Sequence, residues 1–178
     1  MPDAPSAAEP RMAPLQCVIF VGLPATGKTT FFRQRFASTH EHVSKDNWPN
    51  ATKKTARQAR LIADALSSGR SVVVDNTNPT LDDRRAVIDQ AHALSARVIG
   101  YYFDASTRDA VGRNRGRTGR QRVPDIGIFA IAKRLVPPRW EEGFDELYRV
   151  SIAEGGAFDV RPDPHLPPAA PSVDPASD

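Results

Sequence analysis

The chain has 178 residues, 40% hydrophobic and 25% charged, enough for one domain with a sizeable core. A net charge of +3 is too small to argue nucleic-acid binding by itself, and the lone Cys17 excludes an internal disulfide and argues against redox chemistry. No run approaches the roughly 18 apolar residues of a membrane helix, and residues 1–14 lack a basic, apolar leader, so the sequence predicts a cytoplasmic protein without membrane contact.

Residues 1–14 and 159–178 are rich in Pro, Ala, Ser and Asp, and both read as disordered tails flanking one domain over 15–158. The domain opens on an apolar run, 15–21, that predicts a buried parallel strand. Directly after it, Gly22-Leu23-Pro24-Ala25-Thr26-Gly27-Lys28-Thr29 fits G-x-x-x-x-G-K-[ST] at every fixed position. The glycines let backbone N–H groups converge on phosphate oxygens at a helix N-terminus. A nucleoside triphosphate is therefore expected on Gly22, Pro24, Ala25, Thr26, Gly27, Lys28, Thr29 and Thr30. Lys28 should reach the β- and γ-phosphates, and Thr29 should offer its hydroxyl to Mg²⁺. The helix that follows, 28–37, is expected to turn Phe32 and Phe36 inward.

Further strands are predicted over 42–44, 71–75, 97–103 and 147–152, alternating with helices over 52–67, 81–94, 107–113 and 125–136. Gly69 reads as a helix stop, and Thr80-Leu81-Asp82-Asp83 as an N-cap with acidic residues in the first turn. The alternation predicts an α/β fold of the P-loop NTPase type: a parallel sheet of four to five strands flanked by helices. Ligands gather at the carboxyl ends of such strands, which nominates Lys45-Asp46-Asn47, Asp75-Asn76-Thr77-Asn78-Pro79 and Asp104 beside the phosphate loop.

Three carboxylates are candidates for chemistry. Asp75 closes a hydrophobic strand, the position from which P-loop proteins hold Mg²⁺, although an N-cap or turn role fits as well. Asp46 could accept a proton from a substrate hydroxyl, or form an Asx turn before Pro49. Asp104 reads as a helix cap. Asn76, Thr77 and Asn78 are expected on the substrate side with Asp46. Of the 24 basic residues 19 are Arg, and Arg108, Arg113, Arg115, Arg117, Arg120 and Arg122 face only Asp109 in their stretch. With Gly112, Gly116 and Gly119 among them, this composition suits a mobile flap rather than a packed helix. The flap could close over the phosphates as an Arg-rich lid, contact a nucleic-acid backbone, or be plain basic surface. His40, His42, His92 and His165 lack metal-ligand spacing. Trp48 could stack a base but fits core packing better, and Trp140 and Phe144 read as structural.

Taken together, Gly22 to Thr29, Val43-Ser44-Lys45-Asp46, Val72 to Pro79, Arg113-Asn114-Arg115-Gly116-Arg117 and Pro137 to Phe144 resemble the 5′-kinase domain of polynucleotide kinases. The resemblance runs from about Leu15 to Val150 and is nearest to the kinase half of polynucleotide kinase/phosphatase. It implies that Asp46 is the general base for a 5′-hydroxyl, Lys28 the phosphate clamp, and Arg117 a lid arginine on the ATP phosphates with Arg113 beside it. It also implies ATP and Mg²⁺ as cofactors and a single-stranded or end-bearing nucleic acid as acceptor. One departure stands out: phage-type members carry an arginine three residues after the base, where this sequence has Pro49. The sequence shows no Asp-x-Asp-Gly-Thr phosphatase signature, so a phosphatase or ligase partner is expected on a separate chain. A P-loop kinase of a small hydroxyl compound and a non-catalytic ATP-dependent switch are the alternatives.

Overall fold

A computed structural model describes residues 13–164. Of the expected tails, residues 1–12 and 165–178 lie outside the described residues.

The chain alternates strand and helix: β1 (Gln16–Gly22), α1 (Lys28–Arg35), β2 (His40–Val43), α2 (Lys54–Ser67), β3 (Ser71–Val74), α3 (Leu81–Ala93), β4 (Arg97–Phe103), α4 (Thr107–Arg115), α5 (Asp125–Arg134), β5 (Glu146–Ile152) and β6 (Phe158–Pro162). The strands form one sheet in the order β2-β3-β1-β4-β5-β6. The first five run parallel, so the loops after β1, β2, β3 and β4 open on one edge, and β6 returns antiparallel on β5.

Residues 17–21 of β1 are wholly buried, as expected for a strand covered on both faces. The alternation divides them between two cores. Cys17, Ile19 and Val21 join Val72 and Val74 against Ile62 and Leu66 of α2 and Val87 and Ile88 of α3. Val18 and Phe20 meet Phe31 and Phe32 of α1 on the other face. Burial raises the Cys17 thiol to about 12, so it is a core side chain and not a nucleophile. Among the described residues no helix is long and apolar enough to cross a membrane.

Two helix ends match the sequence reading. Gly69 takes φ +76° just past α2, and Thr80 caps α3 in a reciprocal box with Asp83.

Several expectations are corrected. The sheet has a sixth strand, because residues 158–162, mostly assigned to the C-terminal tail, pair with β5 from Ile152↔Phe158 to Tyr148↔Pro162. Pro162 is tolerated there because the strand lies at the sheet edge, and Phe158 and Val160 pack against the α1-side core. The helix expected over 107–113 is present and runs on to Arg115, so the front of the arginine stretch is packed, and the flap reading of its composition does not hold there. Ser106 caps α4 by accepting from Asp109 N–H at 3.1 Å, and Ala110 joins Leu23 and Ile128 in a small third core. Ser106 thus fills the cap role expected of Asp104, which instead takes the Arg149 guanidinium at 3.0 Å.

Candidate active site

The phosphate loop is shaped by positive φ and close approach. Gly22 sits at φ +151°, and a Cβ there would lie 2.9 Å from Phe103 Cβ on β4. Gly27 caps α1 at φ +88°, where a Cβ would meet the Phe158 ring at 3.0 Å. The strand missing from the sequence reading therefore supports the loop from below. Ala25 between them holds φ +62°, a strained value for a residue with a Cβ.

Lys28 begins α1 and folds its ammonium back into the loop, donating to Gly22 O at 3.2 Å and to Leu23 O. Burial lowers its pKa to about 8; Asp75 and Asp46 push it back up, and Arg117 pushes it further down. Phosphate oxygens favour the ammonium, so nucleotide bound against Lys28 is expected to raise its pKa. Below about pH 8 the free protein already carries that proton; above it, binding must take one up. Nucleotide affinity is expected to fall as pH rises past about 8, with proton uptake visible as buffer-dependent binding heat and absent in Lys28→Met.

Asp75, 4% exposed just past β3, is tied to the neighbouring strand by its N–H, which donates to Val43 O at 2.9 Å. Thr29 Oγ1 donates to Asp75 Oδ2 at 2.7 Å, which leaves the hydroxyl lone pairs for a cation. The same oxygen meets His42 Nε2 at 2.9 Å; since a carboxylate only accepts, the imidazole proton sits on that nitrogen. No cluster of three or more metal-ligating side chains occurs among the described residues. One hydroxyl beside one carboxylate nevertheless suits Mg²⁺, which keeps most of its shell as water and substrate phosphate.

Asp46 sits on the exposed turn Lys45–Asn47 that follows β2. The turn is fixed from behind. Buried Ser44 accepts from Asp46 N–H at 3.3 Å, and Asn76 Oδ1 accepts from Lys45 N–H at 2.9 Å while its amide donates to Gln58 at 2.8 Å. Asn76 thus links the end of β3 to the Asp46 turn. Thr77 gives its carbonyl to Gly22 N–H at 3.0 Å. Asn78, expected to touch substrate, is 4% exposed at φ +41°, with its amide donating to Phe20 O at 2.7 Å. Its side chain is spent inside the fold, which corrects that expectation. Trp48 packs at the margin of the core with the Arg57 guanidinium 4.9 Å from its ring.

Under this loop lies a side chain the sequence reading passed over. Arg84 of α3 is wholly buried and donates to both oxygens of Glu142, at 2.6 and 2.8 Å. Its remaining amino group donates to Asn78 O and Val136 O, both at 3.0 Å. The Asp-Asn-Thr-Asn-Pro and Glu-Gly-Phe segments are therefore two halves of one buried clasp. An Arg within a helix, here followed by the exposed Arg85, carries no local sign of such a role.

On the other side of the phosphate loop, Arg113 of α4 joins Thr26, Phe103, Asp109, Val150 and Ile152 in lining a cavity of about 190 Å³. Asn114, wholly buried, holds the segment after α4 by donating to Val123 O at 2.6 Å and accepting from Val123 N–H at 3.0 Å. Arg117 lies on the half-exposed turn beyond and donates to Gln121 O at 3.4 Å. A wider concavity of about 680 Å³, on the α4 surface near Arg108 and Phe129, includes no phosphate-loop residue.

The sheet order, the glycine loop and the Thr29–Asp75 pair define a P-loop protein of the kinase type. The family model described as AAA domain (AAA_33) matches residues 17–138, and the chain belongs to that family. It is 28% identical over 139 residues to a bifunctional polynucleotide phosphatase/kinase of Schizosaccharomyces pombe, covering 76% of this chain and 33% of that protein. The chain thus spans one third of the length of this curated relative. Among solved structures, Kti12 of Chaetomium thermophilum in complex with ADP-AlF3 aligns with TM-score 0.62 at 18% identity, over 79% of this chain and 92% of that one. A fungal RNA kinase aligns with TM-score 0.56 at 18% identity, over 80% and 77%.

Proposed function

We propose that this domain is an ATP- and Mg²⁺-dependent polynucleotide kinase that moves the γ-phosphate of ATP onto the 5′-hydroxyl of DNA or RNA. The observation that carries this reading is geometric: beside the phosphate loop Thr29 Oγ1 donates to Asp75 Oδ2 at 2.7 Å, and Asn76, next in the chain, ties down the turn that carries Asp46 by accepting from Lys45 N–H at 2.9 Å. The similarity to a polynucleotide phosphatase/kinase supports the choice of acceptor.

The chemistry asked of these residues is positioning and charge. The phosphate loop and Lys28 hold the β- and γ-phosphates. Thr29 and Asp75 would hold Mg²⁺, which would supply charge neutralisation at the phosphates. The acceptor oxygen attacks the γ-phosphorus, the bond to the β–γ bridging oxygen breaks, and ADP leaves. Asp46 takes the hydroxyl proton, and Arg117 with Arg113 stabilises the charge on the transferring group.

The test is a panel of acceptors incubated with γ-labelled ATP: 5′-hydroxyl single strands, duplex ends, nucleosides and sugars. Label on polynucleotides is expected. Label confined to nucleosides or sugars identifies a small-molecule kinase, and label on nothing, with binding that still responds to ATP, identifies a switch.

A further inference from the structure

His42 is drawn into the site by geometry that the phosphate-transfer scheme does not use. It is the third residue of β2, and its ring stacks on Phe32 of α1 with centroids 4.1 Å apart and planes at 22°. That stack fixes the imidazole plane, and Nε2 lies 2.9 Å from Asp75 Oδ2. Phe32 stands three residues beyond Thr29, so both project from one face of α1. The result is a closed ring across three elements: Thr29 to Asp75, Asp75 to His42, His42 to Phe32, and back along α1.

We propose that His42 is a positioning residue that holds the Asp75 carboxylate in the orientation needed to serve a divalent cation beside Thr29. This rests on the reading of Thr29 and Asp75 as the cation-side pair. Thr29 must turn its oxygen toward the cation when one arrives, and its hydrogen bond alone then leaves the carboxylate with one mobile partner. His42 supplies a second donor from a ring that stacks on Phe32. Partners of this kind, one step behind the metal-side groups, change metal affinity by about 10–100-fold when removed. Asp75 is also tethered through its backbone to Val43, the next residue of β2, so β2 fixes both the main chain and the side chain of this aspartate.

The experiment measures ADP affinity calorimetrically in EDTA and in saturating Mg²⁺, for the intact chain and for His42→Ala, His42→Gln and Phe32→Leu. The quantity read is the ratio of the two affinities, which a general loosening of the loop does not move. For His42→Ala the proposal expects unchanged affinity in EDTA and a Mg²⁺-dependent gain about 10–100-fold smaller than in the intact chain. His42→Gln keeps a donor and recovers part of the gain; Phe32→Leu, which leaves both polar partners in place, loses part of it. An unaltered ratio in His42→Ala overturns the proposal. Equal losses with and without Mg²⁺ overturn it too, because His42 would then only support the loop. If the intact chain shows no Mg²⁺-dependent gain, the cation-side reading of Thr29 and Asp75 fails first and the role of His42 falls with it.

Discussion

Replacing Asp46 by Asn is expected to lower phosphoryl transfer by about 10²–10⁴-fold, the usual contribution of a positioned general base. Nucleotide binding should persist. The amide has the size of the carboxylate, and the turn that carries it is held by Ser44 and Asn76 through main-chain N–H groups, not through the Asp46 side chain. One secondary effect has a definite sign. Asp46 helps to raise the pKa of Lys28, so its removal lets that pKa fall, and the alkaline decline in nucleotide affinity should begin at lower pH. Steady-state rates and calorimetric ADP binding on the same preparation separate these effects. Loss of nucleotide binding in Asp46→Asn would give the residue a structural or metal role instead.

Arg84→Met is expected to be the most damaging substitution for the fold, at about 3–5 kcal/mol, the usual range for breaking a buried ion pair from one side. The change takes the guanidinium from the Glu142 carboxylate, 8% exposed, leaving it the Arg139 N–H at 2.9 Å, and removes a donor from Asn78 O and Val136 O. For a domain of this size the loss corresponds to a fall in Tm of roughly 6–20 °C. Arg84→Met combined with Glu142→Leu should recover part of that stability, because an apolar pair removes the stranded charge. Thermal unfolding of the single and double variants checks this; an unchanged Tm in Arg84→Met would show that the clasp contributes little. The effect should reach the site, since Asn78 and Pro79 are continuous with Asp75.

The sequence made the donor half legible because a phosphate loop is built from local chemistry. Gly22, Gly27, Lys28 and Thr29 declare themselves by type and spacing, and parallel strands declare the edge on which the loops meet. Asp46 and Asp75 followed from their place after a strand. The supports did not follow. Arg84, His42 and Asn114 act across 58, 33 and 9 residues of chain, and nothing near them in sequence marks the partner. Residues 158–162 were hidden by composition: Asp159, Arg161 and Pro162 resemble a polar tail, and only pairing with β5 reveals Phe158 beneath Gly27. The arginine stretch misled in the opposite direction. Its glycines suggested mobility, but Ala110 and Asn114, two small residues on the inner face, anchor it to Leu23 and Val123. Asn78 looked like a contact residue, yet its positive φ and buried amide show a turn residue of the kind Asn fills well.

The central claim is that Asp46, Lys28, Asp75 and Arg117 form one site for transfer to a 5′-hydroxyl. Its most direct test is a single-turnover reaction of γ-labelled ATP with an oligonucleotide ending in a 5′-hydroxyl, with the label located by digestion to mononucleotides. All label is expected to emerge as nucleoside 5′-monophosphate, an oligonucleotide already phosphorylated at its 5′ end should receive none, and Lys28→Met should transfer none. Release of labelled inorganic phosphate without any labelled oligonucleotide, at a rate indifferent to the acceptor, would contradict it.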